Sequence, residues 1–148
     1  MLPTLIVEFT VRLGYAIFAV ATLSFLGAGL EAGSPDWGTQ VADYLNERAT
    51  ADATPVVINL ASEEYFKVVD RKALKPRVVT CVFEERKGDQ YKVVSFFAKR
   101  ARGLMVRHAV ERGAETVDDL KTFDREGYAY VPAASEPDRL VFRRDAQR

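Results

Sequence analysis

Lys99, Arg100, Gly103 and Arg107 stand at helical spacing in the segment SFFAKRARGLMVRHAVER. At 100° per residue they fall within roughly 100° of arc, so one helix face presents three cations around a glycine. That combination suits a polyanion: Lys and Arg neutralise phosphates and release their counterions, and a residue without a Cβ lets a phosphate approach the backbone. Arg102 adds a fourth cation to the helix, and Lys87 and Lys92 on the preceding segment extend the patch. The competing reading is a plain solvated face, which is what most Lys and Arg runs on amphipathic helices are. Charge distribution adds weight to the first reading without deciding between the two. Residues 86–112 hold eight basic side chains against two acidic ones, in a chain whose totals balance at 21 and 21.

Other reactive side chains point to packing. On the same helical wheel His108 falls with Ala101, Leu104 and Met105 on the apolar side, with no second His in the chain to share a metal. Cys81 lies mid-strand between Val79, Val82 and Phe83, where a thiol behaves as a small apolar filler. Glu63 with Glu64, and Asp118 with Asp119, are sequence neighbours rather than residues of one face, so they read as helix N-terminal charges and not as an acid/base pair. No Gly-x-Ser-x-Gly elbow, phosphate-binding glycine loop or two-His metal motif occurs. The sequence therefore predicts a non-enzyme with no cofactor, no metal ligands and no small-molecule substrate.

The elements that must position the basic face are legible in outline. Thr39–Arg48 carries Val41, Ala42 and Leu45 on one side of a helix, which fades in a polar linker over Ala49–Thr54. Pro55–Leu60 is a β-branched run that reads as a buried strand. Ser62 can cap a short helix starting at Glu63. Arg77–Glu84 and Gln90–Phe96 flank a turn at Lys87-Gly88-Asp89 and read as an antiparallel hairpin. The basic helix then runs from about Phe97 to Arg112, with Gly113 at the usual C-terminal position. Thr116 caps a further short helix, Val117–Thr122, and Arg139–Arg143 is the last strand. No internal repeat or low-complexity tract occurs.

The chain has 148 residues, one Cys, one His, 48% hydrophobic and 11% aromatic residues. Net neutrality with that aromatic content argues against disorder, and a single Cys excludes an intrachain disulfide framework. One stretch departs from a soluble composition. Leu13–Leu30 runs 18 residues without a charge, amide or histidine, about 27 Å of helix, which reaches the lower limit for crossing a membrane. A buried core helix is the other reading, weakened by Gly14, Gly27 and Gly29. The Gly-, Ser- and Pro-containing segment Glu31–Gly38 marks a boundary, giving two regions at 1–37 and 38–148.

From about Trp37 to the C-terminus the chain resembles the C-terminal part of the YaaA family of bacterial peroxide-stress proteins. The resemblance is carried by Ile58-Asn59-Leu60-Ala61-Ser62 with Glu64-Tyr65-Phe66-Lys67, by Ser95 through Met105 with Arg107, by Phe123 with Gly127-Tyr128, and by Leu140-Val141-Phe142-Arg143-Arg144. It implies a cytoplasmic, DNA-binding protein of mixed α/β structure that protects cells from peroxide by limiting free iron. Family DNA binding is attributed to a positively charged cleft and a helix-hairpin-helix-like element. The resemblance also implies that the family's N-terminal half is not represented, impairing activity and leaving an incomplete domain. No catalytic residue carries over.

Residues 2–38 resemble instead a membrane segment of dipeptide, oligopeptide and nickel ABC importer permeases, on Leu2-Pro3, Leu13-Gly14-Tyr15-Ala16-Ile17, Leu23-Ser24-Phe25-Leu26-Gly27-Ala28-Gly29 and Ser34-Pro35-Asp36-Trp37-Gly38. Val20 stands where that pattern has an acidic residue. Together the two resemblances describe a chimera joined near Trp37-Gly38. The expected fold class is α+β, an incomplete mixed α/β domain preceded by one apolar membrane-spanning helix. The expected partner is double-stranded DNA, held by Lys99, Arg100, Arg102, Arg107, Lys92 and Lys87. Residues 13–30 would tether the chain to the inner membrane, and the alternative function is that of a permease fragment in transmembrane transport.

Overall fold

A computed structural model describes residues 37–51 and 56–145. Leu13–Leu30 and the rest of the permease-like segment up to Asp36 lie outside the described residues. Among the described residues no helix is long and apolar enough to cross a membrane.

The elements run α1 (Trp37–Ala51), β1 (Val56–Asn59), α2 (Glu63–Phe66), β2 (Arg77–Lys87), β3 (Gln90–Lys92), α3 (Ser95–Arg112), α4 (Val117–Leu120), β4 (Ala129–Tyr130) and β5 (Arg139–Arg144). The mixed α/β expectation therefore holds for this part of the chain. The sheet order is β1-β2-β5-β4, with β3 pairing β2 alone. Strand β2 is the axis: it pairs β1 in parallel through Arg77–Thr80, β5 in parallel through Thr80–Glu85, and β3 in antiparallel fashion through Glu85–Lys87.

Period-two alternation in β2 sorts its side chains between two layers. Val79, Cys81 and Phe83 face α3 and join Ala98, Ala101, Met105, Ala109, Leu120, Phe123, Tyr128, Leu140 and Phe142 in the main core. Val78 faces the other way, toward Val41, Leu45 and Val57 and toward the Ala42, Phe66 and Val69 cluster. Helix α1 approaches that second layer closely at Gly38. A Cβ built there would sit 2.1 Å from the Val68 carbonyl oxygen, so only glycine fits.

Local chemistry fixes most of the ends. The Ser62 hydroxyl accepts from the Tyr65 amide at 3.4 Å, and Thr116 and Asp119 form a reciprocal capping box. Asp119 accepts from the Thr116 and Glu115 amides at 2.7 and 3.0 Å, which hold its carboxyl below the usual range after the stronger contribution of the Thr116 hydroxyl. Gly113 takes φ 60° as the left-handed residue closing α3. Buried Asn59 is satisfied on both sides of its amide. It donates to Thr80 Oγ1 at 3.2 Å and accepts from the Ala61 amide at 3.0 Å.

Several boundaries differ from the sequence expectation. Helix α1 continues through Thr50 to Ala51 where a linker was expected, and Asn46 near its end clamps the following loop: it donates to Ala73 O and accepts from the Lys75 amide, both at 2.8 Å. The second hairpin strand stops at Lys92 instead of Phe96, because Val94 becomes the N-cap residue of α3 and its carbonyl already accepts from the Ala98 amide. The capped helix after Thr116 ends at Leu120, two residues short of Thr122.

His108 and Cys81 are core residues, in keeping with their positions in the sequence. Burial pushes the Cys81 thiol up to about 12, so its thiolate, the form that reacts with oxidants, is scarce at neutral pH. Thr122 Oγ1 donates to Asp119 O at 2.7 Å, so at 3.0 Å it accepts from His108 Nε2–H, which leaves Nδ1 as a bare buried acceptor. Burial, with Arg112 adding to it, lowers the His108 pKa. The folded state thus keeps this ring neutral while the unfolded chain protonates it near pH 6.5. Stability should be complete above about pH 7 and fall as pH drops below 6.5, by at most about 1.4 kcal/mol per pH unit. Urea unfolding between pH 7.5 and 5 would read this slope, and His108→Asn should flatten it.

Candidate nucleic-acid interface

Helix α3 carries four of the six candidate cations. Its inner face is set by Ala98, Ala101, Met105, His108 and Ala109, all buried, while Leu104 is half-buried. Small alanines let the helix lie close over β2, and the positions between them turn outward. Lys99, Arg100 and Arg107 are exposed as the helical wheel predicts, and Arg102 is half-buried on the flank.

The hairpin brings two more cations to the same end of the sheet. Gly88, at φ 63°, lies in the turn between β2 and β3, and the register pairs Lys87 with Gln90 and Glu85 with Lys92. Both lysines are exposed, and Ser95 follows β3 after only two residues, so the hairpin leads directly into the first turn of α3.

The six cations are not equivalent. Among the described residues Lys87, Lys92, Lys99 and Arg102 have no acidic partner. Burial without such a partner lowers the Arg102 pKa. Arg100, by contrast, donates from Nε to Glu126 Oε1 at 2.6 Å, and Arg107 donates to Glu111 Oε1 at 2.7 Å. Each carboxylate raises its arginine's pKa, chiefly through the hydrogen bond. Glu111 is shared, since Arg125 reaches its other oxygen at 2.6 Å, so that trio retains one net positive charge. Exposed pairs of this kind add little to the fold, and a phosphate can displace them at low cost.

Glu126 belongs to a second network that the sequence reading missed. Arg144, at the end of β5, donates from Nε to Glu85 Oε1 at 2.7 Å, and its Nη1 lies 3.6 Å from Glu126 Oε2. Arg144 and Glu85 are 7% and 6% exposed, so this is a buried ion pair. The guanidinium sits 4.7 Å from the Phe97 ring centre and 4.6 Å from that of Tyr128, a cation between two aromatic faces. Glu126 adopts φ 52°, a left-handed conformation costing about 1 kcal/mol for a residue with a Cβ. That backbone turn places its carboxylate between Arg100 and Arg144. Sequence signals existed only for the parts: an arginine pair ending a strand, and a glutamate before Gly127.

Among the described residues no group of three His, Cys, Asp or Glu side chains could hold a metal ion. Two shallow clefts lie at the other end of the strands and on the second layer, at about 480 and 350 Å³. Arg77 and Lys121 in the larger one pair with Asp138 and Asp118.

These features define a class: a mixed-sheet α/β protein whose main helix crosses one face of the sheet and leaves cations unbalanced on its outer side and on the adjoining hairpin. More particularly, the chain belongs to the family described as peroxide stress protein YaaA, whose model matches residues 34–134. Similar curated proteins are UPF0246 proteins. That of Polaromonas naphthalenivorans (strain CJ2) is 67% identical over 108 residues, covering 73% of this chain and 42% of the relative. That of Leptothrix cholodnii (strain ATCC 51168 / LMG 8142 / SP-6) is 63% identical over the same length and shares, and UPF0246 protein BAV2675 of Bordetella avium (strain 197N) is 59% identical. The chain thus spans about two fifths of the length of these relatives. The likeness of residues 2–38 to a permease segment finds no support among these matches.

Proposed function

We propose that this chain is a YaaA-like peroxide-stress protein that binds double-stranded DNA without sequence specificity. The observation that carries this reading is the imbalance of charge at one end of the fold: Lys87, Lys92 and Lys99 are exposed and, with Arg102, lack an acidic partner among the described residues. Exposed cations of this kind contact phosphates, which position a protein on DNA but carry no base information. Arg107 contributes through the uncompensated charge it shares with Arg125 and Glu111, whereas Arg100 is already balanced by Glu126. Limitation of free iron and a cytoplasmic location rest on the family resemblance, and a non-enzymatic role on the lack of catalytic motifs in the sequence.

Fluorescence anisotropy with labelled duplexes of unrelated sequence at about 50 mM salt tests the proposal. The full chain should bind each with affinities within a few-fold of one another. No binding at that salt, or a preference above tenfold for one sequence, would refute it.

A further inference from the structure

The outer side of α3 carries an apolar ridge as well as cations. Phe96, Gly103 and Val110 recur every seven residues, and each such step drifts only about 20° around a helix. They therefore form one ridge about 21 Å long on the side away from the core. Phe96 is 74% exposed and Val110 53%, and Val93, just before the helix, is 50% exposed. Gly103 lies between the two side chains with nothing within 4 Å of where its Cβ would be.

Among the described residues Phe96 meets the Phe97 ring edge-to-face at 5.4 Å, yet most of its surface stays in water. A mid-helix glycine is less favourable than alanine, and the parts of large apolar side chains that stand in water contribute little to the fold that exposes them. A second element packed across the helix makes use of all of them. Phe96 and Val110 fill grooves at either end, and the missing side chain at Gly103 lets the two backbones approach at the crossing. The relatives' length indicates the occupant, because the 108 matched residues make up only 42% of the Polaromonas naphthalenivorans protein.

We propose that the Phe96–Gly103–Val110 ridge is a docking seam for the part of a full-length family member that lies outside this match. The ridge runs between Lys99 on one side and Arg100 and Arg107 on the other, so an occupant overlies part of the basic face of α3 and leaves Lys87 and Lys92 on the hairpin uncovered; the seam itself rests on the apolar residues and not on DNA binding.

The test is to co-express the full chain with a tagged segment of the Polaromonas naphthalenivorans relative comprising the residues outside its match, and to size the complex recovered. A one-to-one complex is expected, weakened at least tenfold by Phe96→Glu with Val110→Glu and unaffected by Lys87→Ala with Lys92→Ala. Both glutamates replace exposed residues, so an unchanged thermal melt of the variant shows that its fold is intact. If the segment is insoluble alone, its rescue by the wild-type chain and not by the variant supports the seam equally. Absence of a complex or of rescue, or a complex indifferent to the two glutamates, overturns the proposal. So does self-association of the chain through this ridge, or weakened DNA binding as the only effect of the glutamates.

Discussion

Arg144→Met should destabilise the fold by about 3–5 kcal/mol, because it leaves the Glu85 carboxylate buried without its ion-pair partner. The expected fall in Tm is roughly 10–20 °C for a domain of this size. Among the described residues Glu85 pairs with Arg144 alone, at 2.6–2.7 Å, and it sits at the end of the main core, where water offers little replacement. Methionine keeps an apolar stem but lacks the guanidinium that sits between the Phe97 and Tyr128 rings, so the lost cation–π contacts add to the effect. The paired substitution Glu85→Leu with Arg144→Met removes both charges and should recover most of the loss. Glu85→Leu alone should cost less than Arg144→Met, since Arg144 keeps Glu126 and its backbone carbonyl at 3.6 and 3.4 Å. Urea denaturation of the four proteins would check the cycle. A loss below 1 kcal/mol for Arg144→Met would show that water replaces the lost partner of Glu85.

Replacing Lys87, Lys92 and Lys99 together by alanine should lower affinity for duplex DNA by ten- to a hundredfold near 100 mM salt. Each lysine that touches a phosphate releases roughly one counterion, and none has an acidic partner among the described residues to which its charge is already committed. Replacing Arg100 and Arg107 together should cost less per residue. Their charges face Glu126 and Glu111 before DNA arrives, and breaking those hydrogen bonds offsets part of the gain from a phosphate. All three lysines are exposed, so the comparison can be made on folded proteins of unchanged Tm.

That ranking of cations was not legible in the sequence, and the reasons differ by residue. Arg107 and Glu111 are four apart on one helix, so their pairing is a local signal that could have been read directly. Arg100 meets Glu126 across 26 positions, and only because Glu126 takes a left-handed conformation that residue type does not announce. The Arg144–Glu85 pair spans 59 positions and depends on the parallel register that sets Glu85 beside Arg144, a consequence of sheet topology and not of any local pattern. What was legible is what short-range chemistry dictates: the caps at Ser62, Thr116 and Gly113, the turn between β2 and β3, the inner face of α3, and the core positions of Cys81 and His108. Helix α3 starts at Ser95, two residues before the Phe97 that the sequence pattern indicates. Val93, Val94, Phe96 and Phe97 look like strand residues, yet Phe96 and Val93 stand largely in water, so their apolar character belongs to a surface and carries no period of the fold.

The salt dependence of DNA binding by the full chain counts the phosphates that its cations hold. If four unpartnered cations, Lys87, Lys92, Lys99 and Arg102, hold phosphates and Arg107 adds the charge it shares with Arg125 and Glu111, log K should fall linearly with log salt with a slope between about −3.5 and −4.5, and the triple lysine variant should flatten it by about 2.7. A slope near zero, or one that the lysine substitutions leave unchanged, would contradict the assignment.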